Sequence, residues 1–432
     1  MKKTALITFF SLFVFSFMYG QDPEKADEKI GNLINQNDWF SLYEEYPKLK
    51  NEMQSEMLKH FSEAMIGFNF NQPQKAIQAI DWLLANAQEE IGFGNVSSLI
   101  LIKSQCLGEQ GLYAESADNL SNFLTEISEH VNLKEFPAHN QALEFYEKMR
   151  NERKPEVVRP DRDVEIPITI EGEGQGQLMY VPVHVNGKEF KFIFDTGASS
   201  TFVSERFANE VRLRITDESF VIQGMKSGIG KRGTIDSILI GDIVFKNPNI
   251  AIGLPNEEVD TILQVDAVLG LDFMKRIGEI QIFPEEKKIV FSMKKTELPS
   301  FGCNLIISNG QPYLKVFSDK DRLLFHFDTG AGKSILQNIY YQKHKEEVEK
   351  IGTKDSIRQA GYGGISIVDS YRIPKFPLTI GDCSFELTNV DVLLNKLSDV
   401  QRNEDGQFGL DFITSFKKVI INFDDMFVKA EK

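Results

Sequence analysis

The spacing of apolar positions changes once along the chain. From about residue 22 to 150 they recur at every third and fourth place: Ile30, Leu33 and Ile34, then Met57, Phe61 and Met65, then Ala76, Ile77, Ile80, Leu83 and Leu84. That spacing puts them on one face of a helix. Pro73 stands where a helix can begin. Stretches 39–49, 75–84 and 115–124 resemble one another at a spacing of about 35 to 40 residues, a period that fits helical hairpins of tetratricopeptide type. Residues 21–150 are therefore read as a helical-repeat-like domain. Residues 151–165 carry charge, Pro155 and Pro160, and no periodicity. They read as an exposed linker where a protease would nick the chain. From residue 166 the pattern is that of short strands: Glu165-Ile-Pro-Ile-Thr-Ile170, then Leu178-Met-Tyr-Val-Pro-Val-His-Val185, closed by Asn186-Gly187, a strong hairpin signal.

The strand region is one unit written twice. Phe192-Ile-Phe-Asp195-Thr196-Gly197-Ala198 returns 133 residues later as Phe325-His-Phe-Asp328-Thr329-Gly330-Ala331. The context repeats as well. Ala267-Val-Leu-Gly270-Leu-Asp-Phe-Met274 and Gly406-Gln-Phe-Gly409-Leu-Asp-Phe-Ile413 place Gly270 and Gly409 75 and 81 residues after the respective aspartates. Between these motifs each half has a Gly-rich segment and a turn at Gly241-Asp242 or Gly381-Asp382. The expectation is two pseudo-symmetric, closed all-β lobes with almost no helix, residues 166–297 and 298–432. In each copy a buried strand ends in a carboxylate, and a charge there is costly unless something compensates it. Two such carboxylates suggest that each compensates the other.

At these residues the chain resembles the aspartic proteases, both the two-lobed pepsin-like enzymes and the retropepsins. The resemblance rests on the paired Asp-Thr-Gly turns and on the hydrophobic-hydrophobic-Gly motifs Val268-Leu269-Gly270 and Gln407-Phe408-Gly409, the second with a polar first position. It covers roughly residues 166–430 and leaves the helical region outside. It implies that Asp195 and Asp328 are the catalytic pair. It also implies that Thr196 and Thr329 bond across the lobe interface, that Gly197 and Gly330 permit tight packing at the centre, and that Gly270 and Gly409 lie beneath the turns. Pepsin-like enzymes carry a Ser or Thr immediately after Asp-Thr-Gly; here Ala198 and Ala331 stand there. Without that hydroxyl the ionised form loses a donor, so the pair titrates higher, with an optimum nearer about pH 5 to 7 than pH 2. The Gly-rich segments 223–233 (Gly224, Met225, Gly228) and 359–365 (Gly361, Tyr362, Gly363) read either as flaps closing over substrate or as ordinary hairpin turns. Pepsin-like enzymes carry a flap tyrosine, but here Tyr362 is in the second lobe and the first offers Met225.

Composition adds exclusions. A net charge of −15 argues against a nucleic-acid partner. Lys2 and Lys3, the apolar run from Ala5 to Phe17 and Gly20-Gln21 make residues 1–20 a secretory signal peptide, cleaved after Gly20. The run is short of the ~20 residues a spanning anchor needs, so no stable membrane anchor is expected. Cys303 and Cys383 could pair in an exported protein, or all three cysteines, with Cys106, could be buried free thiols. No Cys–His spacing points to a metal, and the mechanism implied needs no cofactor. His326 reads as a packed side chain.

The leading reading is an exported, single-chain aspartic endopeptidase, secreted or periplasmic, acting on peptides or proteins, whose helical domain engages a partner, positions substrate or restrains the site. The alternative is a secreted peptide-binding scaffold that does not cut. A third is a zymogen whose first 150 or so residues must be removed.

Overall fold

The computed structural model describes residues 25–222, 228–253, 266–361, 364–396 and 403–432. The signal-peptide stretch 1–20 and Gly224, Met225, Tyr362 and Gly363 of the expected flaps lie outside the described residues. The chain divides into two compact units, one ending at Glu152 and the other spanning Arg153–Lys432.

The first unit is helical, as its periodicity requires. Its helices are Lys25–Asn35, Trp39–Leu49, Glu56–Asn69, Pro73–Asn86, Gln88–Glu109, Tyr113–Ile127 and Pro137–Met149. Asp38 and Ser55 cap two of them by accepting from the amides of Ser41 and Leu58, which satisfies donors that a helix start leaves over. Pro73 occupies the first turn of its helix, where a missing N–H costs nothing. The buried faces meet closely: a Cβ added at Gly67 would lie 2.6 Å from the Ala76 nitrogen. The helix Gln88–Glu109 is two helices joined at a kink, Gly92, whose φ of 76° lies in the left-handed region.

In the second unit the two halves repeat one strand order. In the first half, the hairpin Leu178–Val185 and Lys188–Phe194 is followed across the sheet by Ala267–Leu269, Phe202–Ser204, Asn249–Gly253, Gly228–Thr234 and Arg214–Ile222. In the second half, Gln311–Ser318 and Asp321–Phe327 are followed by Gly406–Phe408, Ile335–Leu336, Cys383–Leu393, Gly364–Ile380 and Thr353–Gly361. The Asn186-Gly187 turn has φ of 53° and 78°, the doubly left-handed form that matches strand twist. Asn309-Gly310 makes a second such turn, at 51° and 73°, before Gln311–Ser318. A third sheet joins the halves: Glu279–Phe283 runs antiparallel to Lys418–Asn422, with Ile280 opposite Ile421. Its core residues Ile280, Ile282, Val419 and Ile421 are all fully buried.

Three sequence expectations change here. Among the described residues the lobes are partly closed sheets: in the second half Gly364–Ile380 also pairs with Gln311–Ser318, Phe317 opposite Thr379, which brings that sheet round on itself. The strands Arg214–Ile222 and Thr353–Gly361 stand at the ends of the two strand orders, each paired with its hairpin partner, Gly228–Thr234 or Gly364–Ile380. The lobes also contain short helices, among them Leu271–Ile277 and Leu410–Thr414. Short apolar runs of this kind do not distinguish helix from strand by period alone. Finally, part of the stretch read as a linker is a strand: Glu156–Val158 pairs with Ile243–Lys246, and Arg159 donates to the carbonyls of Ile277 and Phe291. None of the three cysteines is in a disulfide, and the Cys303 thiol donates to Asp425 O.

Local exposure of backbone governs nicking. A Glu-specific protease should therefore cut the full chain rapidly after Glu152 and slowly after Glu156. Equal rates at the two sites would show that the pairing of Glu156–Val158 does not hold in solution.

Candidate active site

Each half delivers its aspartate in the same way. The strands Lys188–Phe194 and Asp321–Phe327 end in aromatic pairs, Phe192 with Phe194 and Phe325 with Phe327, all essentially without exposure. Those rings anchor the strand ends in the core, so Asp195 and Asp328 emerge at fixed points. The returning strand fastens each one. The Asp195 amide donates to Leu269 O (3.1 Å) and the Asp328 amide to Phe408 O (3.0 Å). The turn then folds back on its own carboxylate, with the Gly197 amide donating to Asp195 Oδ1 (2.7 Å) and the Gly330 amide to Asp328 Oδ1 (3.0 Å).

The two turns lock together through their threonines, both wholly buried. The Thr196 amide donates to Thr329 Oγ1 and the Thr329 amide to Thr196 Oγ1, each at 3.0 Å. Each hydroxyl in turn donates across the interface, Thr196 Oγ1 to Phe327 O (2.7 Å) and Thr329 Oγ1 to Phe194 O (2.8 Å). The exchange leaves no hydroxyl or amide of either threonine unpaired, which matters because a buried unmade hydrogen bond is costly. It also brings the turns so close that only glycine fits after them. A Cβ at Gly197 would lie 2.6 Å from Asp328 Cγ, and one at Gly330 2.4 Å from Asp195 Cγ.

The aspartates thus meet as a hydrogen-bonded pair, each keeping partial exposure. Burial pushes the Asp195 carboxyl above its ordinary range. The hydrogen bond with Asp328 and the amides of Gly197, Gly330 and Ala198 oppose that rise without cancelling it. Two carboxyls in contact cannot easily both be charged, so such a pair holds one proton between them.

A second layer was legible only as an unassigned repeat. In the duplicated Gly-Leu-Asp-Phe, Asp272 Oδ1 accepts from the amide and hydroxyl of Thr201, both at 2.8 Å, and the Gly270 amide donates to that hydroxyl at 3.0 Å. Asp411, Ser334 and Gly409 reproduce the arrangement at 2.9, 2.6 and 3.0 Å. Burial raises the Asp272 carboxyl as well, against the Thr201 donors. The glycines lie against the turns as the resemblance implies: Leu271 and Leu410 donate to Ala198 O (2.8 Å) and Ala331 O (2.7 Å). Each turn is also met by the opposite half. A Cβ on Gly332 would lie 2.4 Å from Gly174 O, and one on Gly310 3.3 Å from the Ser199 side chain.

Of the flap residues, Gly228 opens the strand paired to Arg214–Ile222, and Gly361 pairs with Gly364 at the end of its hairpin. His326 is packed: its Nε2 lies 2.7 Å from Gln311 Oε1. Gln407, the polar first residue of its motif, gains a role only here: its Nε2 donates to Asp328 Oδ2 at 3.0 Å.

With this geometry in hand, comparison with known proteins is informative. Residues 181–276, which include Asp195 and Gly270, match the family described as gag-polyprotein putative aspartyl protease. A crystal structure of a retropepsin-like aspartic protease from Rickettsia conorii is similar at 20% identity, covering 32% of this chain and 91% of that one, with a TM-score of 0.22. No curated protein matches. The family match is a likeness of this stretch of the first half to an aspartyl-protease family.

Replacing Thr196 by Val removes a hydroxyl that both accepts and donates across the interface. It should lower stability by about 1–3 kcal/mol in urea unfolding of the full chain, while Thr196→Ser stays near the parent. Equal stability of the Val and Ser variants would show that the reciprocal bonds are not what holds the halves together.

Proposed function

We propose that the chain is an exported aspartic endopeptidase that hydrolyses peptide bonds with a water activated between Asp195 and Asp328. The observation that carries this reading is the contact of two carboxyls in duplicated turns, one of them raised by burial, inside a lattice of donors. A pair holding one proton has both functions that the reaction needs. The ionised carboxylate accepts a proton from water, whose oxygen attacks the peptide carbonyl carbon. The protonated carboxyl donates to the carbonyl oxygen as the tetrahedral species forms. On collapse one hydroxyl of the tetrahedral diol returns its proton to the pair as the C=O bond re-forms, the C–N bond breaks, the amine leaves with a proton from the pair, and one proton again remains shared.

The two hairpins support a substrate bound in extended form, with segments 223–233 and 359–365, including Met225 and Tyr362, as flaps above it. Gly197, Ala198, Gly330 and Ala331 form the floor in this reading. Residues 1–20 would direct export, to the periplasm or outside the cell. The helical unit would engage a protein partner, by the repeat-like surface its periodicity suggests.

Cleavage of an unbiased peptide mixture by the full chain, beside Asp195→Asn and Asp328→Asn, tests the reading. Either substitution should cut the rate by roughly a thousand-fold, or about 4 kcal/mol of transition-state stabilisation. Cleavage at parental rate by both variants would place the chemistry elsewhere, and a parent as silent as both would favour peptide binding without hydrolysis.

The pH dependence follows from the same pair. A carboxyl raised by burial keeps its proton to higher pH, so activity that requires one shared proton extends above the ordinary aspartate range. The optimum is expected at about pH 5 to 7, with loss on the acid side as a second proton binds and on the alkaline side as the shared one leaves. A pH–rate profile peaking near pH 2 would show that the pair does not titrate above the ordinary carboxyl range.

A further inference from the structure

The two turns are near copies, but the rows of side chains beside them are not. Across the first half runs the row Tyr180, Ile193 and Val268, in register on neighbouring strands. The matching row in the second half is Tyr313, His326 and Gln407. Ile193 and His326 each precede the aspartate by two residues, so they share its face of the strand. Beside Asp195 that face is apolar; beside Asp328 it carries an imidazole and an amide. His326 and Gln407 are 5% and 7% exposed, so neither sits there as a solvated surface group. A buried amide is expensive unless its hydrogen bonds are made. The bond that Gln407 makes is to Asp328 Oδ2, at 3.0 Å. Val268, at the equivalent place, has no donor to offer Asp195.

We infer that Gln407 is a positioning residue that makes the pair asymmetric: its amide holds Asp328 as the ionised member, and the shared proton resides on Asp195. This rests on the aspartic-protease reading above and assigns the roles within it, Asp328 to take the proton from water and Asp195 to donate to the carbonyl oxygen. An ionised carboxylate only accepts hydrogen bonds, so the amide must present its NH2 to Oδ2. A donor aimed at that oxygen favours the charged form. Both carboxyls accept backbone amides, Asp328 from Gly330 and Asp195 from Gly197, Gly330 and Ala198, so the side-chain donor Gln407 on Oδ2 is the difference between them. The amide thus does for one half what a hydroxyl after Asp-Thr-Gly does in pepsin-like enzymes, and does it from the opposite strand.

The titratable neighbours of this site are few. Asp195 faces it from the other turn. His326 faces it from its own strand, with Nε2 engaged by Gln311, and the Tyr313 ring lies 5.6 Å from the imidazole. Lys333, beyond the turn, has its ammonium 3.9 Å from Asp411.

The test is the pH dependence of kcat/KM for the parent, Gln407→Met, Gln407→Leu and Gln407→Glu, each checked for a folded thermal transition. Met and Leu remove the donor with little change of volume. Their acid limb should move up by about one pH unit and kcat at the optimum should fall roughly tenfold with KM little changed. Glu substitutes an acceptor and a third carboxyl, and should shift the limb further. Met and Leu serve as substitutes for each other if one fails to fold. A second arm needs no turnover: a titration of 13C-carboxyl-labelled aspartate by NMR in the parent and Gln407→Met, where the acid-side step of the pair should rise by the same amount. A parent that cleaves nothing would sink the protease reading while leaving the NMR arm to judge Gln407. Superimposable profiles, or an unmoved titration step, would overturn the role given to Gln407.

Discussion

Two carboxyl groups held in contact at the junction of two half-structures are the demand that everything else in the second unit answers. Their mutual hydrogen bond and the raised Asp195 carboxyl are tolerable only if both backbones are fixed to a fraction of an ångström. The reciprocal bonds of Thr196 and Thr329 provide that. Because each threonine satisfies the other's amide and the carbonyl preceding the other's aspartate, neither turn is complete without its partner. The close approach then excludes every side chain but hydrogen at Gly197 and Gly330.

Support radiates outward in layers. Buried phenylalanines hold the ends of both delivering strands. The return strands accept the aspartate amides. Behind them Asp272 with Thr201, and Asp411 with Ser334, pin the segments that follow the turns to the start of short helices. The sheet formed by the final strands of both halves ties one half to the other, and it buries Glu279 with its oxygens met by Thr296, Gln281 and Asn422. A buried carboxylate at such a place is acceptable because every bond it can accept is supplied within the fold. Against this near-symmetry, the apolar row ending at Val268 and the polar row ending at Gln407 give the two aspartates unequal surroundings. Such inequality is what acid–base chemistry requires of two chemically identical groups.

The duplication, the two aspartates and the divide between helical and strand regions were legible because each depends on local pattern. Periods of 3.6 and 2 follow from backbone geometry alone. A repeated Asp-Thr-Gly in repeated context shows without knowledge of contacts. The Asn186-Gly187 turn was legible for the same reason, its conformation being a property of those two residues. What the chain order hid were partnerships between residues far apart. Asp272 and Asp411 stood in a visible repeat but had no assignable role until Thr201 and Ser334, 71 and 77 residues away, were seen to donate to them. Glu156–Val158 looked like linker because three residues are too few to show a period; only the strand Ile243–Lys246 beside them makes them a strand. Short helices after Gly270 and Gly409 were missed because one or two turns leave too few positions to define a period.

Gln407 marks the boundary most sharply. In sequence it is a polar residue at the first place of a motif that is otherwise hydrophobic. Nothing in its neighbours along the chain says whether it points to solvent, to core or to a catalytic group. The parallel pairing of Gly406–Phe408 with Asp321–Phe327 puts it opposite His326 and within reach of Asp328, 79 residues earlier. The sequence by itself determined which residues could carry the chemistry, since residue type and local spacing are written in it. The tertiary structure alone decided which of them meet and on what terms, because burial, hydrogen-bond partners and the asymmetry of the pair are properties of contacts that form only when the two halves close on each other.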